Sequence, residues 1–331
     1  MVSSLLLSNL SPLRVFRFFF SLFLVDTSSF HGVGVSASST SFSTVHVTQN
    51  KDEAEALLNW KSTLDNHSQS LLSSWQGNNP CRFSGVACND SQAITHLNLS
   101  SLGLRGTLDN LDFSCLTNLV SFELGNNSIY GSIPSSIGDL SKLNSLHLYG
   151  NELSGNIPPS ICMLESLHSL DLCSNNLSGC IPQEIGKLIS LERLALSENG
   201  LAGPIPTSLG KLGNLTKLRI SKNILSGSIP QEICDLRSLK YLSLWHNRLS
   251  GPIPSEIGRL RSLKYLRLWD NRLSGPIPSE IGRLTSLTVL QVLYNNLTGP
   301  IPASIGSLSS LTVLQLDANK LFGFLPLNLI S

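Results

Sequence analysis

The sequence predicts an α/β-type repeat solenoid, in which stacked coils align one short strand each into a long parallel sheet and a helical cap covers the first coil. Three observations lead there. The phrase L-x-L-x-x-N-x-L recurs with its Asn at Asn127, Asn151, Asn175, Asn199, Asn223, Asn247, Asn271, Asn295 and Asn319, each 24 residues after the last. A degenerate earlier copy has Leu102 in the Asn position, which makes ten units from about Ile94 onward. Upstream of these, Ala54, Leu57, Leu58, Trp60 and Leu64 fall at three- and four-residue spacing, the period of a helix with one apolar face.

Composition permits this fold and narrows the function. The 331 residues are 41% hydrophobic and only 14% charged, with a formal net charge of +1. A solenoid grows by adding units to one continuous core, so length does not count separate globular domains. A net charge near zero gives no reason to expect a nucleic-acid partner.

Taken in chain order, the first element is a leader. Arg14 and Arg17 precede an apolar run over residues 18–25, closed by Asp26. The run is far shorter than the roughly 20 residues that span a bilayer. Small residues follow at Val35-Ser36-Ala37-Ser38. Residues 1–40 are therefore expected to be a signal peptide, and the mature chain to be secreted or held on the extracellular side of the plasma membrane. Apart from the leader, every apolar run is broken by Ser, Asn, Gly or Pro, so no transmembrane segment is expected.

The next element is the cap, expected over residues 41–92. The first coil of a solenoid exposes one face of its core and needs a cover. The helical pattern from Glu53 to Leu72 supplies it, followed by Trp75 and by Asn79-Pro80-Cys81-Arg82-Phe83-Ser84-Gly85-Val86-Ala87-Cys88.

Repeats fill residues 93–331. In Leu146-His147-Leu148 the alternation turns both Leu side chains inward and His147 outward, which is strand periodicity. Asn151 follows, with an amide that can both donate and accept and so satisfy the backbone of a tight buried turn. Leu153 returns to the core, Ser154-Gly155 reads as a turn, and Ile157-Pro158 reads as the start of a second extended segment. Ile161 and Leu164 close the coil.

The phrase L-S-G-x-I-P-x-x-I-G-x-L, as in 249–260, recurs almost unchanged. With the cap, it resembles the plant-specific class of leucine-rich repeats over roughly residues 53–331. The wording is most similar to plant leucine-rich-repeat receptor-like kinases, particularly the male-discoverer-interacting receptor kinase group. The resemblance implies a right-handed superhelix with the parallel sheet on its concave face, and a disulfide between Cys81 and Cys88. Phe83 stands where the family usually has Trp, so an aromatic filler is kept. It also implies a peptide or protein ligand in cell-surface signalling, a co-receptor kinase as a second partner, and a location in the cell wall space. Full members continue into more repeats, a membrane helix and a kinase. This chain stops inside a coil without a C-terminal Cys cap, which points to a truncated form. The same class includes polygalacturonase-inhibiting proteins, so a secreted inhibitor of a cell-wall-degrading enzyme, or a soluble decoy, stands as the alternative.

Five further cysteines remain, Cys115, Cys162, Cys173, Cys180 and Cys234, and an odd number cannot all pair internally. Cys162 and Cys234 hold the same repeat position three coils apart, roughly 14 Å at the strand spacing, too far to bridge. Glycosylation acceptors occur at Asn66, Asn89, Asn98, Asn126, Asn176, Asn214 and Asn296. Asn98 and Asn126 would crowd the N-terminal end of the strand face, which leaves coils six to eight clearest.

Coils five to nine carry the candidate binding residues, on the outward strand positions six, four and two before each repeat Asn. They are Arg193, Lys217, Arg219, Tyr241, Trp245, Tyr265, Arg267 and Trp269, with Tyr294 beside them. A sheet packed on one face has no folding need for Trp on the other, and exposed aromatics beside Arg are the usual material of binding hot spots. Trp245 and Trp269 are expected to hold apolar side chains of an extended peptide, and Arg193, Lys217 and Arg219 to meet its acidic groups. Residues 238–261 and 262–285 differ only at Ser243/Arg267, His246/Asp270 and Arg261/Thr285, so Trp269 also reads as a duplicate of Trp245 that stacks along the sheet.

Catalytic apparatus is missing from the sequence. There is no phosphate-binding G-x-x-x-x-G-K-[ST] loop, no kinase H-R-D or D-F-G, and no G-x-S-x-G elbow. Histidines are scattered, and Glu184, Glu232, Glu256 and Glu280 fall one per coil. No enzyme activity, metal or cofactor is expected.

Overall fold

The computed structural model describes residues 43–326. The expected signal peptide lies outside the described residues.

Helices α1 (Ser43–Thr63) and α2 (Asn66–Leu71) form the cap, and Asp65 caps α2 by accepting the Ser68 N–H. The apolar face read from the sequence turns inward: Ala54, Leu57, Trp60 and Leu64 are buried, and Leu58 half-buried. Trp60, Trp75 and Phe83 pack in sequence, with ring centroids 6.1 and 5.5 Å apart. Polar bonds fix the cap to coil one. Trp60 Nε1 donates to the Thr107 carbonyl (2.7 Å) and the Arg105 N–H donates to Ser68 Oγ (2.7 Å). Cys81 and Cys88 are disulfide-bonded, with Cα atoms 5.6 Å apart. The second of them ends strand β1 (Val86–Cys88), which pairs antiparallel with β2 (Ile94–Asn98), the first strand of the repeats.

From β2 onward the main sheet is parallel, and counting β1 it has 11 strands in chain order. The first repeat strand pairs with the next at an offset of 25 residues, as in His96 opposite Ser121, and every later strand residue lies opposite the one 24 positions on, as in Arg193 opposite Lys217 and Tyr241 opposite Tyr265. Leu146, Leu170, Leu194, Leu218, Leu242 and Leu266 stack into a continuous core.

The repeat Asn residues hold the coils together as expected. Asn175 is 7% exposed. Its Oδ1 accepts the Leu153 N–H of the preceding coil (3.0 Å), and its Nδ2 donates to the carbonyls of Leu148 (3.0 Å) and Leu172 (3.2 Å). One amide thus satisfies buried backbone groups on two coils, and the same pattern recurs from Asn127 to Asn319. Leu102 has no amide and is 41% exposed. The residue before each Asn takes the left-handed conformation, including Glu198, Lys222, His246, Asp270 and Tyr294.

One expectation is corrected. The second extended segment is L-S-G-x, ahead of the Ile-Pro pair: in coil three it spans Glu152–Asn156 and pairs with Asn176–Ser178. Gly155 does not end the strand, because at φ +76 it bends the chain inside it, a region glycine enters without a Cβ penalty. Pro158 precedes a 3-10 turn over Pro159–Met163, where a residue without an N–H leaves no donor unpaired. Ile161 and Leu164 are fully buried below that turn. Adjacent turns approach closely: a Cβ on Gly210 would meet the Glu232 carbonyl oxygen at 2.4 Å. Among the described residues no helix is long and apolar enough to cross a membrane.

Candidate binding face

The register sorts the outward side of the sheet into rows. Six residues before the repeat Asn run Arg193, Lys217, Tyr241, Tyr265 and Val289; four before run Ala195, Arg219, Ser243, Arg267 and Gln291. Two before, Ser197 and Ser221 are followed by Trp245 and Trp269. The small members (Ala195, Ser197, Ser221 and Ser243) are buried although they face outward, so the larger residues form the surface.

These large residues contact one another. The Trp245 and Trp269 rings stack with centroids 4.4 Å apart and planes within 7°. Tyr241 and Tyr265 lie 5.3 Å apart at 39°. Arg267 ties the tyrosines together, its guanidinium carbon 5.3 Å from one ring centroid and 5.8 Å from the other, with Nη1 donating to the Tyr241 hydroxyl at 2.6 Å. Arg267 Nε is buried and makes no hydrogen bond among the described residues. Lys222 sits 5.3 Å from the Trp245 ring centroid and 2.8 Å from Glu198 Oε1. That bond, with a second from Ser174, holds the Glu198 carboxyl below its usual range.

Next to this block lies a cationic cluster. Arg193 is exposed, and Lys217 and Arg219 are half-buried. None of the three forms an ion pair among the described residues. The Lys217 ammonium is 5.9 Å from the Tyr241 ring centroid. Burial, and then repulsion from Arg193 and Arg219, lower its proton affinity, with Asp171 acting in the opposite sense. With no anion within ion-pair distance of any of them among the described residues, these three clustered cations are favourably placed for an acidic ligand group.

Tyr294 stands apart. It occupies the left-handed turn position (φ +51), is 58% exposed, and makes no ring contact with Trp269 among the described residues. Leu293 takes the row position after Trp269.

The seven acceptor asparagines are all exposed. Asn98 points onto the strand face, where its Nδ2 donates to Glu123 Oε2 (3.1 Å). The strand face of coils six to eight carries no acceptor. No group of three or more His, Cys, Asp or Glu side chains is placed to hold a metal among the described residues.

Sequence reasoning missed two partnerships here, Lys222 with Glu198 and Arg267 with Tyr241. Both join residues 24 or 26 apart, and the repeat register contains the signal for them.

Comparison with known proteins gives the lineage. MDIS1-interacting receptor like kinase 2 of Arabidopsis thaliana is 44% identical over 97 residues, 28% of this chain and 9% of that protein. The ectodomain of the Arabidopsis thaliana receptor kinase GASSHO1/SCHENGEN3, solved in complex with CASPARIAN STRIP INTEGRITY FACTOR 2, superposes with a TM-score of 0.81 at 35% identity. It covers 84% of this chain, which spans about a third (34%) of that one. The Arabidopsis receptor kinase HAESA, solved with the peptide hormone IDA and the co-receptor SERK1, gives a TM-score of 0.60 at 32% identity, over 83% of this chain and 55% of that one. The leucine-rich repeat N-terminal domain matches residues 50–89. With the leucine-rich repeat region matching residues 92–228 and 221–321, the chain belongs to the leucine-rich-repeat family, in the form built into plant receptor kinase ectodomains.

Proposed function

We propose that this chain is the extracellular ligand-binding region of a plant receptor-like kinase or receptor-like protein, that it takes an extended peptide along the strand face of coils five to nine, and that it performs no chemistry of its own. The observation that carries this reading is the block formed by Trp245, Trp269, Tyr241, Tyr265 and Arg267 beside the unpaired Arg193, Lys217 and Arg219. Desolvating those aromatics against apolar side chains would supply affinity, and the cations would select an acidic group. Its relatives are receptor kinases, and HAESA is solved with both a peptide hormone and a co-receptor, so a co-receptor kinase is the second partner assigned here. The likeness to receptor kinase ectodomains supports an extracellular location, an oxidising setting in which the Cys81–Cys88 disulfide persists.

The test uses a library of extended synthetic peptides that pair acidic with apolar residues, screened against the secreted chain. Any binder is re-measured on Trp245→Ala/Trp269→Ala and on Arg193→Ala/Lys217→Ala/Arg219→Ala. A loss of roughly tenfold or more for each variant is expected. Binders that hold both variants at the wild-type affinity would place the site elsewhere.

A further inference from the structure

Outside the strand face, four unpaired cations gather on one flank of coils seven and eight. There the chain turns from the 3-10 segment back into the strand through Arg237-Ser238-Leu239-Lys240 and, one coil on, through Arg261-Ser262-Leu263-Lys264. Leu239 and Leu263 are fully buried and anchor each turn. Arg237, Lys240, Arg261 and Lys264 are all exposed, and none makes an ion pair or side-chain hydrogen bond among the described residues. The nearby Asp235 carboxylate is already held by Arg259 at 2.9 Å.

The patch is bounded. At the same positions coil six has Gly213 and Thr216, and coil nine has Thr285 and Thr288. The first acidic side chain in the Lys240 column is Glu192, two coils away, about 10 Å at the strand spacing. Equivalent cations repeat from coil to coil at about 4.8 Å, so the four form two short parallel ladders. A near-neutral chain thus carries a local positive field that its net charge of +1 conceals.

We infer that this flank binds a linear polyanion bearing a carboxylate on each sugar unit, an acidic polysaccharide, independently of the peptide site. Regular spacing of the cations suits a regular spacing of charge in the ligand. The surroundings argue against a protein partner. The positions between and beside the cations are Ser238, Ser262, Thr216 and Thr288, with no exposed large apolar side chain among them. A protein interface needs an apolar centre to exclude water, whereas a hydrated polyanion needs only cations and hydroxyls. Four exposed charges act in high dielectric, so the binding is modest in strength and sensitive to salt.

The experiment uses the secreted full chain after enzymatic deglycosylation, because Asn214 carries an acceptor site on the same turn of coil six. Binding to immobilised polygalacturonate is compared with binding to the fully methyl-esterified polymer, which keeps the backbone and loses the charge. The wild type should bind the acidic polymer and not the ester, and the affinity should fall steeply between low salt and physiological salt. The variant Arg237→Gln/Lys240→Gln/Arg261→Gln/Lys264→Gln should lose roughly tenfold or more, whereas Arg248→Gln/Arg272→Gln/Lys320→Gln, which removes exposed cations of the second extended segments, should bind the polymer like the wild type. An unchanged thermal midpoint shows that the first variant is folded. Equal binding to ester and acid, retention by the flank variant, or an equal loss in the control variant would each overturn the inference. So would a clear preference for an acidic protein over the polymer at equal charge.

Discussion

The indole rings of Trp245 and Trp269 stack at 4.4 Å with their planes within 7° of parallel, one coil apart on the outward side of the sheet. Each ring is only half-buried, so the pair leaves apolar surface in water beyond what the stack hides. Stacking of this kind is worth about 0.5–1.5 kcal/mol beyond area burial. A double-mutant cycle between Trp245→Ala and Trp269→Ala, read by urea unfolding, should give a coupling in that range. Peptide affinity should fall by more than the coupling explains. A coupling of several kcal/mol with unchanged affinity would make the pair a purely structural strut.

The Asn ladder should be far less forgiving than the surface. Replacing Asn175 with Ala leaves the Leu153 N–H and the Leu148 and Leu172 carbonyls without their buried partner. Each orphaned group costs about 1–3 kcal/mol, so a loss of about 3–5 kcal/mol is expected, allowing for partial relaxation. Hydrogen exchange at the Leu153 amide should accelerate along with it. Asn127 is only half-buried at the cap end, and Asn127→Ala should cost less.

Much of this was legible in the residues because a 24-residue register fixes which side chains stack. Asn127 to Asn319, the Leu columns and the outward rows all follow from it. The cap helix was legible from its spacing, and the disulfide from the resemblance. What the register could not show was where small residues end and large ones cover them, so Ser197, Ser221 and Ser243 read as surface and are buried. It also misplaced the second extended segment, because Gly155 reads as a turn when it is a bend within a strand. In the sequence, Glu53 is only the first residue of the helical cap pattern. Its burial depends on how α1 docks against Ile94, a contact 41 residues away that carries no local signal.

The unpaired cysteines should differ sharply in reactivity. Cys180 is exposed, whereas Cys162 and Cys234 are buried under the back of their coils. Burial pushes the Cys162 thiol up to about 11 and the Cys234 thiol to about 12, and Cys173 also rises to about 12. The thiolate is the reacting species, so alkylation at pH 8 with mass-spectrometric mapping should label Cys180 first. Labelling of Cys162 or Cys234 at a comparable rate in the native protein would mean that the coils open there.

Glu53 should give the protein an unusual pH dependence. It is fully buried, one oxygen accepts the Ile94 N–H at 3.1 Å, and the other has no partner among the described residues. Burial raises its carboxyl from 4.5 to about 7, with the Ile94 bond opposing. A carboxyl with a raised folded-state value is neutral in both states below about 4.5, so its contribution there is intact. Between about 4.5 and 7 the unfolded chain ionises it freely while the folded chain resists, and stability falls as pH rises. The full shift corresponds to about 3 kcal/mol, and above about 7 the loss levels off. Asp65, Asp112 and Glu198 are all lowered, so they lose stability toward acid, in the window below this one. Glu53→Gln keeps an oxygen for Ile94 and cannot ionise. Subtracting its unfolding free energies from those of the wild type should therefore leave a slope confined to pH 4.5–7, mirrored by hydrogen exchange at the Ile94 amide. A flat difference across that range would show that α1 admits water to Glu53 and that the cap is looser than its packing indicates.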